Sequence, residues 1–438
     1  MLVYQILILF LGIILYRKNK GLIPCYWFIL QTLCLPIPVF LTGAILDQDI
    51  LNAYGQQNAV LNLLLLTLLI IEFRNFKIYK VNLAGLFVTL LFLFFYAIFW
   101  GCYHHTNFDF FIAQKEFLTK MLVILYLVLI DKTTVKQIVI TFCVVAFVEV
   151  LIAFSNHTLG FHLYAFHYIS SLGDIGYADV YTSGTFKRFS NLSAYLVVSQ
   201  AILSSEFFVH KRISTRMFVC VSIPLGLLTI FTGSRLGLIV FVLVMMATAF
   251  FNYKRNMKFI FLMISLCAIL FVKVLSLTDT NISDETSGFS RNLIGLSEKF
   301  SKKNKSATTD EMSSDLISRY WDYNPFGRGK TAYAKGKTAY AKVDVAYGNI
   351  NYMVDSRPAF FLVEYGWLYI LLVLLYYITN IKILFSKLDT PSKYSILVLF
   401  LALLFMSVTD DGIYDSVLFF MLICYEFYCL KLYKHEVK

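Results

Sequence analysis

The feature that most limits what this chain can become is a recurrence of long apolar runs, many of about 20 residues with hardly a charge among them. Wound as a helix, a run of that length reaches across the roughly 30 Å hydrocarbon core of a bilayer. In lipid, every backbone N–H and C=O has to be bonded within the segment, so such runs are expected to be helical. Composition agrees: 59% of residues are hydrophobic and 15% charged, against about 45–50% and about 25% in soluble domains. An ordinary soluble enzyme, a disordered chain and a fibrous protein are excluded.

The runs predict about 13 transmembrane helices (12–14), near 1–16, 24–46, 57–73, 82–102, 113–130, 135–155, 190–208, 216–233, 235–252, 257–277, 358–384, 393–409 and 413–430. The expected fold class is an all-α polytopic membrane protein. Its expected organisation is a bundle of about ten helices over 1–277 with an external loop at 156–189, a large external loop at 278–357, and C-terminal helices over 358–438. The run at 1–16 has no basic region before it and is followed by Arg17, Lys18 and Lys20, so it is read as a span rather than a cleaved signal.

Basic residues test the orientation, because cytoplasmic loops hold the excess of Lys and Arg. Alternate loops carry Arg17, Lys18 and Lys20, then Arg74, Lys77 and Lys80, Lys132 and Lys136, Lys211, Arg212 and Arg216, and Lys254, Arg255 and Lys258. The alternation continues through Lys382, Lys387 and Lys393 to Lys431, Lys434 and Lys438. Short segments of the opposite set are acidic, with Asp47 and Asp49, then Asp410, Asp411 and Asp415. The chain is therefore expected in the plasma (inner) membrane, N-terminus external and C-terminus cytoplasmic. The net charge of +11 belongs mainly to the cytoplasmic loops, which argues against nucleic acid as a partner. None of the eight cysteines falls in the two long loops and none forms a CxxC pair, so neither a disulfide framework nor a zinc or redox centre is expected.

Charges inside spans are costly, so each one needs a reason. Lys120, Glu206, Lys273 and Glu426 lie close enough to helix ends to extend toward the interface. Glu149 is deeper and is expected to pair with a basic group or make a polar contact; it is not favoured as catalytic. Arg235 stands in the break Thr232-Gly233-Ser234-Arg235, where its planar fork suits phosphate oxygens or anchors a lipid headgroup. Lys187 and Arg188 start a span from the outer side, where basic residues are disfavoured, which suggests an anionic ligand or a headgroup contact. Late in the large loop come Arg319-Tyr320-Trp321, Asn324-Pro325-Phe326-Gly327-Arg328-Gly329, and Asp355-Ser356-Arg357-Pro358. Asp355 serves either as a helix cap or as a base beside Arg357. His157, His162 and His167 are five residues apart and share no helical face, so they are weak metal candidates. A heptapeptide at 329–335 repeats at 336–342; two copies are too few for a repeat fold and read as a duplication in a tolerant loop.

Taken together, these segments resemble the O-antigen polymerase (Wzy) and O-antigen ligase superfamily of bacterial membrane glycosyltransferases. Gly184-Thr185-Phe186 with Asn191 and Ala194 resembles the family's Gly-x-Phe…Asn-x-x-Ala start of a span, and Ser234-Arg235 its Ser-Arg turn. Arg319…Trp321…Pro325-Phe326-Gly327-x-Gly329 resembles the late-loop stretch, and Asp355…Leu362-Val363-Glu364-Tyr365-Gly366 the start of the next span. The likeness covers 184–366 in family order. It departs at Tyr181 and Thr182, where the family often has an arginine, and at Asp355, where ligases typically have a histidine; the second departure favours a polymerase.

The resemblance implies a GT-C-like architecture and transfer of a polyprenyl-diphosphate-linked glycan onto a new lipid-linked repeat unit. Arg235 and Arg319 would stabilise the departing diphosphate, with Arg188 and Arg357 helping to bind it and Asp355 as base. No metal or other cofactor is implied. The implied partners are the lipid-linked donor and acceptor, membrane lipid and a chain-length regulator protein. A ligase and a flippase for lipid-linked oligosaccharide remain as alternatives.

Overall fold

The computed structural model describes residues 2–33, 47–73, 122–127, 132–158, 184, 186, 189–276, 388–406 and 416–436, with six positions between 371 and 385. All regular structure among the described residues is helical. The helices are α1 (Leu2–Lys18), α2 (Leu22–Thr32), α3 (Asp47–Phe73), α4 (Lys132–Thr158), α5 (Phe189–Ser204), α6 (Thr215–Phe231), α7 (Arg235–Phe250), α8 (Tyr253–Ser276), α9 (Thr390–Met406) and α10 (Ser416–Glu436). They fall where the apolar runs place them, except that α3 begins ten residues earlier than the expected 57. The expected span at 82–102 and nearly all of the large loop and the span after it lie outside the described residues.

The chain divides into two compact units. One comprises Met1–Tyr54, Ile130–Lys303 and Leu388–Lys438; the other comprises Gly55–Leu129 and Asn304–Lys387. In the second unit, Leu61, Leu64, Leu65 and Leu68 of α3 are buried at the i, i+3, i+4, i+7 spacing of one helical face. Its residues 122–127 are helical, and Leu122, Val123, Ile124, Tyr126 and Leu127 are buried.

The first unit is built around α5, which packs against α4, α6, α7, α9 and α10. From Leu192 to Glu206 every residue of α5 and the turn that follows is buried. An aromatic cluster joins α2, α4 and α10 beside it. Phe28 and Phe142 rings lie 4.6 Å apart, Trp27 and Phe420 also 4.6 Å, and Phe28 and Phe420 5.8 Å. Aromatic pairs of this kind contribute about 0.5–1.5 kcal/mol each beyond simple burial.

Among the described residues, two helices contain segments long and apolar enough to cross a membrane, Lys136–Ser155 in α4 and Asn191–Val209 in α5 with its terminal turn. Leu22–Thr32, Thr215–Phe231, Leu236–Phe250 and Thr390–Met406 are shorter apolar helices. On α4, Ile138, Phe142, Val145 and Glu149 face inward, while Ile140, Val144, Phe147, Leu151 and Phe154 form one exposed apolar stripe.

The break between α6 and α7 is explained by its residues. Gly233 takes φ +65, the left-handed conformation that ends helices and that glycine adopts at little cost. Its N–H donates to Ile230 O at 3.0 Å. Ser234 then leaves the helical region, with φ −81 and ψ 107, and its hydroxyl accepts from Gly237 N at 3.1 Å, capping α7. Ser214 caps α6 in the same way, accepting from Met217 N at 3.3 Å.

Candidate functional site

α5, α6 and α7 form an up-down-up set, so α5 and α7 run parallel with their N-termini at one end of the bundle. Their separation is set by Gly237. A Cβ built there would overlie the Ser193 hydroxyl and stand 3.1 Å from Ser193 Cβ. Ser193 is fully buried, and its hydroxyl has no hydrogen-bond partner among the described residues. The third residue of α7 is thus pressed against the fifth of α5. This contact brings the Gly184…Asn191 segment and the Thr232–Arg235 turn together, although more than forty residues separate them along the chain.

α4 runs the other way and delivers Glu149 to the same end. Glu149 is fully buried, and one carboxylate oxygen, Oε2, lies against Gly184. A Cβ on Gly184 would be only 2.6 Å from that oxygen, and Gly184 has φ +57, so both space and backbone call for glycine. Two residues on, the Phe186 ring packs on the Tyr195 ring of α5 at 5.1 Å. The Tyr195 hydroxyl donates to Phe142 O at 3.1 Å, tying α5 to α4.

The electrostatic character of this end follows from the backbone. A helix N-terminus carries about half a positive charge, and here two lie side by side. Arg235 is the first residue of α7, and Lys187 and Arg188 directly precede α5 in sequence. Adjacent positive helix ends suit a phosphate-type anion. Of the expected site residues, Arg235 is described by its backbone position at the start of α7. Arg188, Arg319, Asp355 and Arg357 lie outside the described residues, as do Lys120 and the tandem heptapeptide. No three His, Cys, Asp or Glu side chains gather as metal ligands among the described residues.

A second polar cluster sits at the opposite end, where α5 finishes in a π-turn, Ser205–Val209. Arg212 Nη1 lies 3.4 Å from Glu206 Oε2 and donates to the Tyr428 hydroxyl at 3.0 Å. Tyr425 donates to Glu206 Oε1 at 3.1 Å, and His210 Nε2 lies 3.0 Å from Ser395 Oγ. Burial, with the Arg212 charge added, depresses the His210 pKa to about 4, although Asp389 opposes the shift. Partial burial works against the charge of Arg212, but Glu206 and the tyrosines Tyr428 and Tyr425 outweigh it and raise its pKa.

These contacts correct two expectations. Glu206 and Glu426 do not extend to the interface; they are 5% and 0% exposed. The π-turn folds the chain so that Arg212 and Tyr425 meet Glu206 inside the bundle. Glu426 lies in a stretch of α10, Phe420–Leu430, whose residues are buried on every side, so no path leads its side chain out. Its two oxygens have no hydrogen-bond partner among the described residues. Sequence offered little warning of the Glu206 cluster, because a six-residue separation from Arg212 matches no helical neighbour spacing. The signal for Glu149 was a single glycine, Gly184, whose need shows only in three dimensions.

Comparison with protein-family models, curated proteins and solved structures finds no match.

Proposed function

We propose that the chain is a multi-span, metal-independent membrane glycosyltransferase of the polysaccharide-polymerase type, resembling the O-antigen polymerases. It acts at the outer face of the plasma membrane, with its N-terminus external and C-terminus cytoplasmic. The observation that carries this reading is the parallel packing of α5 and α7 through Gly237 and Ser193, which joins two of the four resembling motifs at one positively polarised end. The exposed apolar stripe of α4 and the two membrane-length segments support a lipid setting.

In this reading the acceptor hydroxyl attacks the anomeric carbon of the donor glycan as the bond from that carbon to the diphosphate oxygen breaks. Polyprenyl diphosphate leaves with the bonding electrons, and the hydroxyl proton passes to Asp355. Arg235 and Arg319 stabilise the charge that builds on the leaving group, and Arg188 and Arg357 help to hold it. The donor is already activated, so no nucleotide sugar is needed.

The test is a deletion strain complemented with wild type, Arg235→Ala or Arg319→Ala and examined on a glycan gel. Single-repeat glycan in the deletion, long chains with wild type, and loss of long chains in both membrane-inserted variants support the polymerase. Normal ladders in both variants overturn the site assignment. Lost surface glycan with accumulated lipid-linked polymer points instead to a ligase. A carrier for lipid-linked glycan is a second reading, favoured by the buried polar side chains along α5, among them Ser193, Ser199, Gln200 and Ser204. It predicts lipid-linked single repeats trapped on the cytoplasmic side.

A further inference from the structure

In the first unit, α1, α4, α6 and α8 share one pattern of exposure: an apolar row runs along the helix and meets an exposed cation at one end. On α1, Val3, Ile6, Phe10 and Ile13 are exposed at the spacing of one helical face, and the row finishes at exposed Arg17. The exposed stripe of α4 begins at exposed Lys136. On α6, exposed Arg216 heads Val219, Ile223 and Leu227, which are exposed three, seven and eleven residues on. α8 carries two such rows side by side, Lys254 with Met257 and Phe261, and Arg255 with Lys258 and Leu262, all exposed.

These cations gather at the end of the bundle where α5 finishes. α4 runs against α5, so its start lies there, and Asn19, which follows α1, donates to Gln137 of α4 at 3.4 Å. The Phe208 ring at the close of α5 packs on Phe218 of α6 at 5.2 Å and on Phe259 of α8 at 4.7 Å, and the Phe208 carbonyl accepts from Asn252 Nδ2 at 3.1 Å. The other ends of the rows on α1, α4 and α6 are uncharged, at Val3, Phe154 and Leu227. The acids described at the basic end do not neutralise it. Glu206 is buried against Arg212, and Asp389 is half-buried and accepts from Ser392 N at 3.0 Å, capping α9. Arg216, Lys254, Arg255 and Lys258 make no ion pair among the described residues.

We propose that this end is a binding surface for anionic phospholipid, centred on the start of α8: Lys254, Arg255 and Lys258 hold the phosphate headgroups while the rows through Met257, Phe261 and Leu262 take the acyl chains. Each row sets a cation directly above exposed apolar side chains, which is the order of charge and oil that a phospholipid presents to a helix crossing its leaflet. Charge complementarity selects an anionic lipid, and the proposed orientation puts this end at the cytoplasmic leaflet, which is the anionic one. A second copy of the chain would oppose like charges here, and an acidic protein segment would leave the apolar rows uncovered. The inference needs a membrane setting but not the polymerase reading, since neither donor nor acceptor glycan takes part.

The experiment titrates the purified full-length protein in mild detergent with an equal mixture of phosphatidylglycerol and phosphatidylcholine and resolves the bound lipids by native mass spectrometry. Wild type is expected to retain phosphatidylglycerol in preference. Neutralising Lys254, Arg255 and Lys258 together to Gln should lower that preference by about fivefold or more, the scale of the attraction of a basic residue to an anionic leaflet. The charge-conserving pair Lys254→Arg with Lys258→Arg should keep it. Equal retention of the two lipids by wild type overturns the proposal and leaves an acidic protein segment as the occupant. A neutralised variant with wild-type preference overturns it too, including one that loses both lipids in proportion, which is what damage to the fold produces. So does loss of preference in the charge-conserving pair. Failure of the polymerase reading shows on the glycan gel instead and leaves lipid retention unchanged.

Discussion

Replacing Gly237 by alanine tests the contact on which the site depends. The new Cβ would overlie the Ser193 hydroxyl, stand 3.1 Å from Ser193 Cβ and 3.0 Å from Ser234 Oγ. α5 cannot retreat easily, because five other helices surround it. Overpacking of this kind costs about 1–3 kcal/mol, and a full-atom overlap belongs at the upper end. Alanine recovers up to about 1 kcal/mol through its better helix propensity, leaving a net loss of about 2 kcal/mol. Ser193→Ala alone should be neutral or slightly stabilising, since the hydroxyl it removes has no hydrogen-bond partner among the described residues. The double variant, Gly237→Ala with Ser193→Ala, removes the overlapping oxygen but leaves two Cβ atoms about 3.1 Å apart, so it should recover most of the loss. Equilibrium unfolding of the purified protein in mild detergent measures all four forms, and the cycle should show a coupling above about 1 kcal/mol. Gly237→Ala as stable as wild type, or losses that simply add, would refute the close parallel packing of α5 and α7.

Arg212→Ala should destabilise by about 3 kcal/mol in the same unfolding measurement, because it strands the buried Glu206 carboxylate; adding Glu206→Gln should return part of the loss. The His210 ring, with its pKa lowered by burial to about 4 from the usual 6.5, binds fewer protons when folded than unfolded between those values. Its contribution to stability is therefore complete above about pH 6.5 and is lost as pH falls toward 4, and His210→Asn should flatten a pH titration of stability across that window. Glu426→Leu should stabilise the fold by about 1–3 kcal/mol by removing a buried carboxyl group that has no hydrogen-bond partner among the described residues; a destabilised variant in thermal unfolding would contradict that environment.

The helices and their approximate limits were legible in the chain, since an apolar run of a given length and the bonding needs of its own backbone are local properties. α4, α6 and α7 begin within a few residues of their expected starts, at Lys132, Thr215 and Arg235. The Thr232–Arg235 break was equally readable, because an αL glycine and a serine cap act on their own neighbours. Part of the candidate site was legible too: Gly184 and Arg235 stood out as residue types at turns. The burial of Glu149 against Gly184 was not, because the residue it meets lies 35 positions away in the chain. Glu206 was misread because ordinary helix spacing carries it toward an end, whereas the π-turn and Arg212 turn it into a paired interior charge.

Sequence by itself therefore determined the apolar segments, helical wherever the structure describes them, the turns between α5, α6 and α7, and the residues available at them. Only the tertiary structure decided that α5 and α7 lie parallel and touching, that Glu149 meets Gly184, and that Glu206 meets Arg212 and Tyr425. The division is physical. Helix formation and capping are settled within a few residues, whereas which faces meet depends on the fit of whole helix surfaces, where one missing Cβ at Gly237 sets how closely two helices approach.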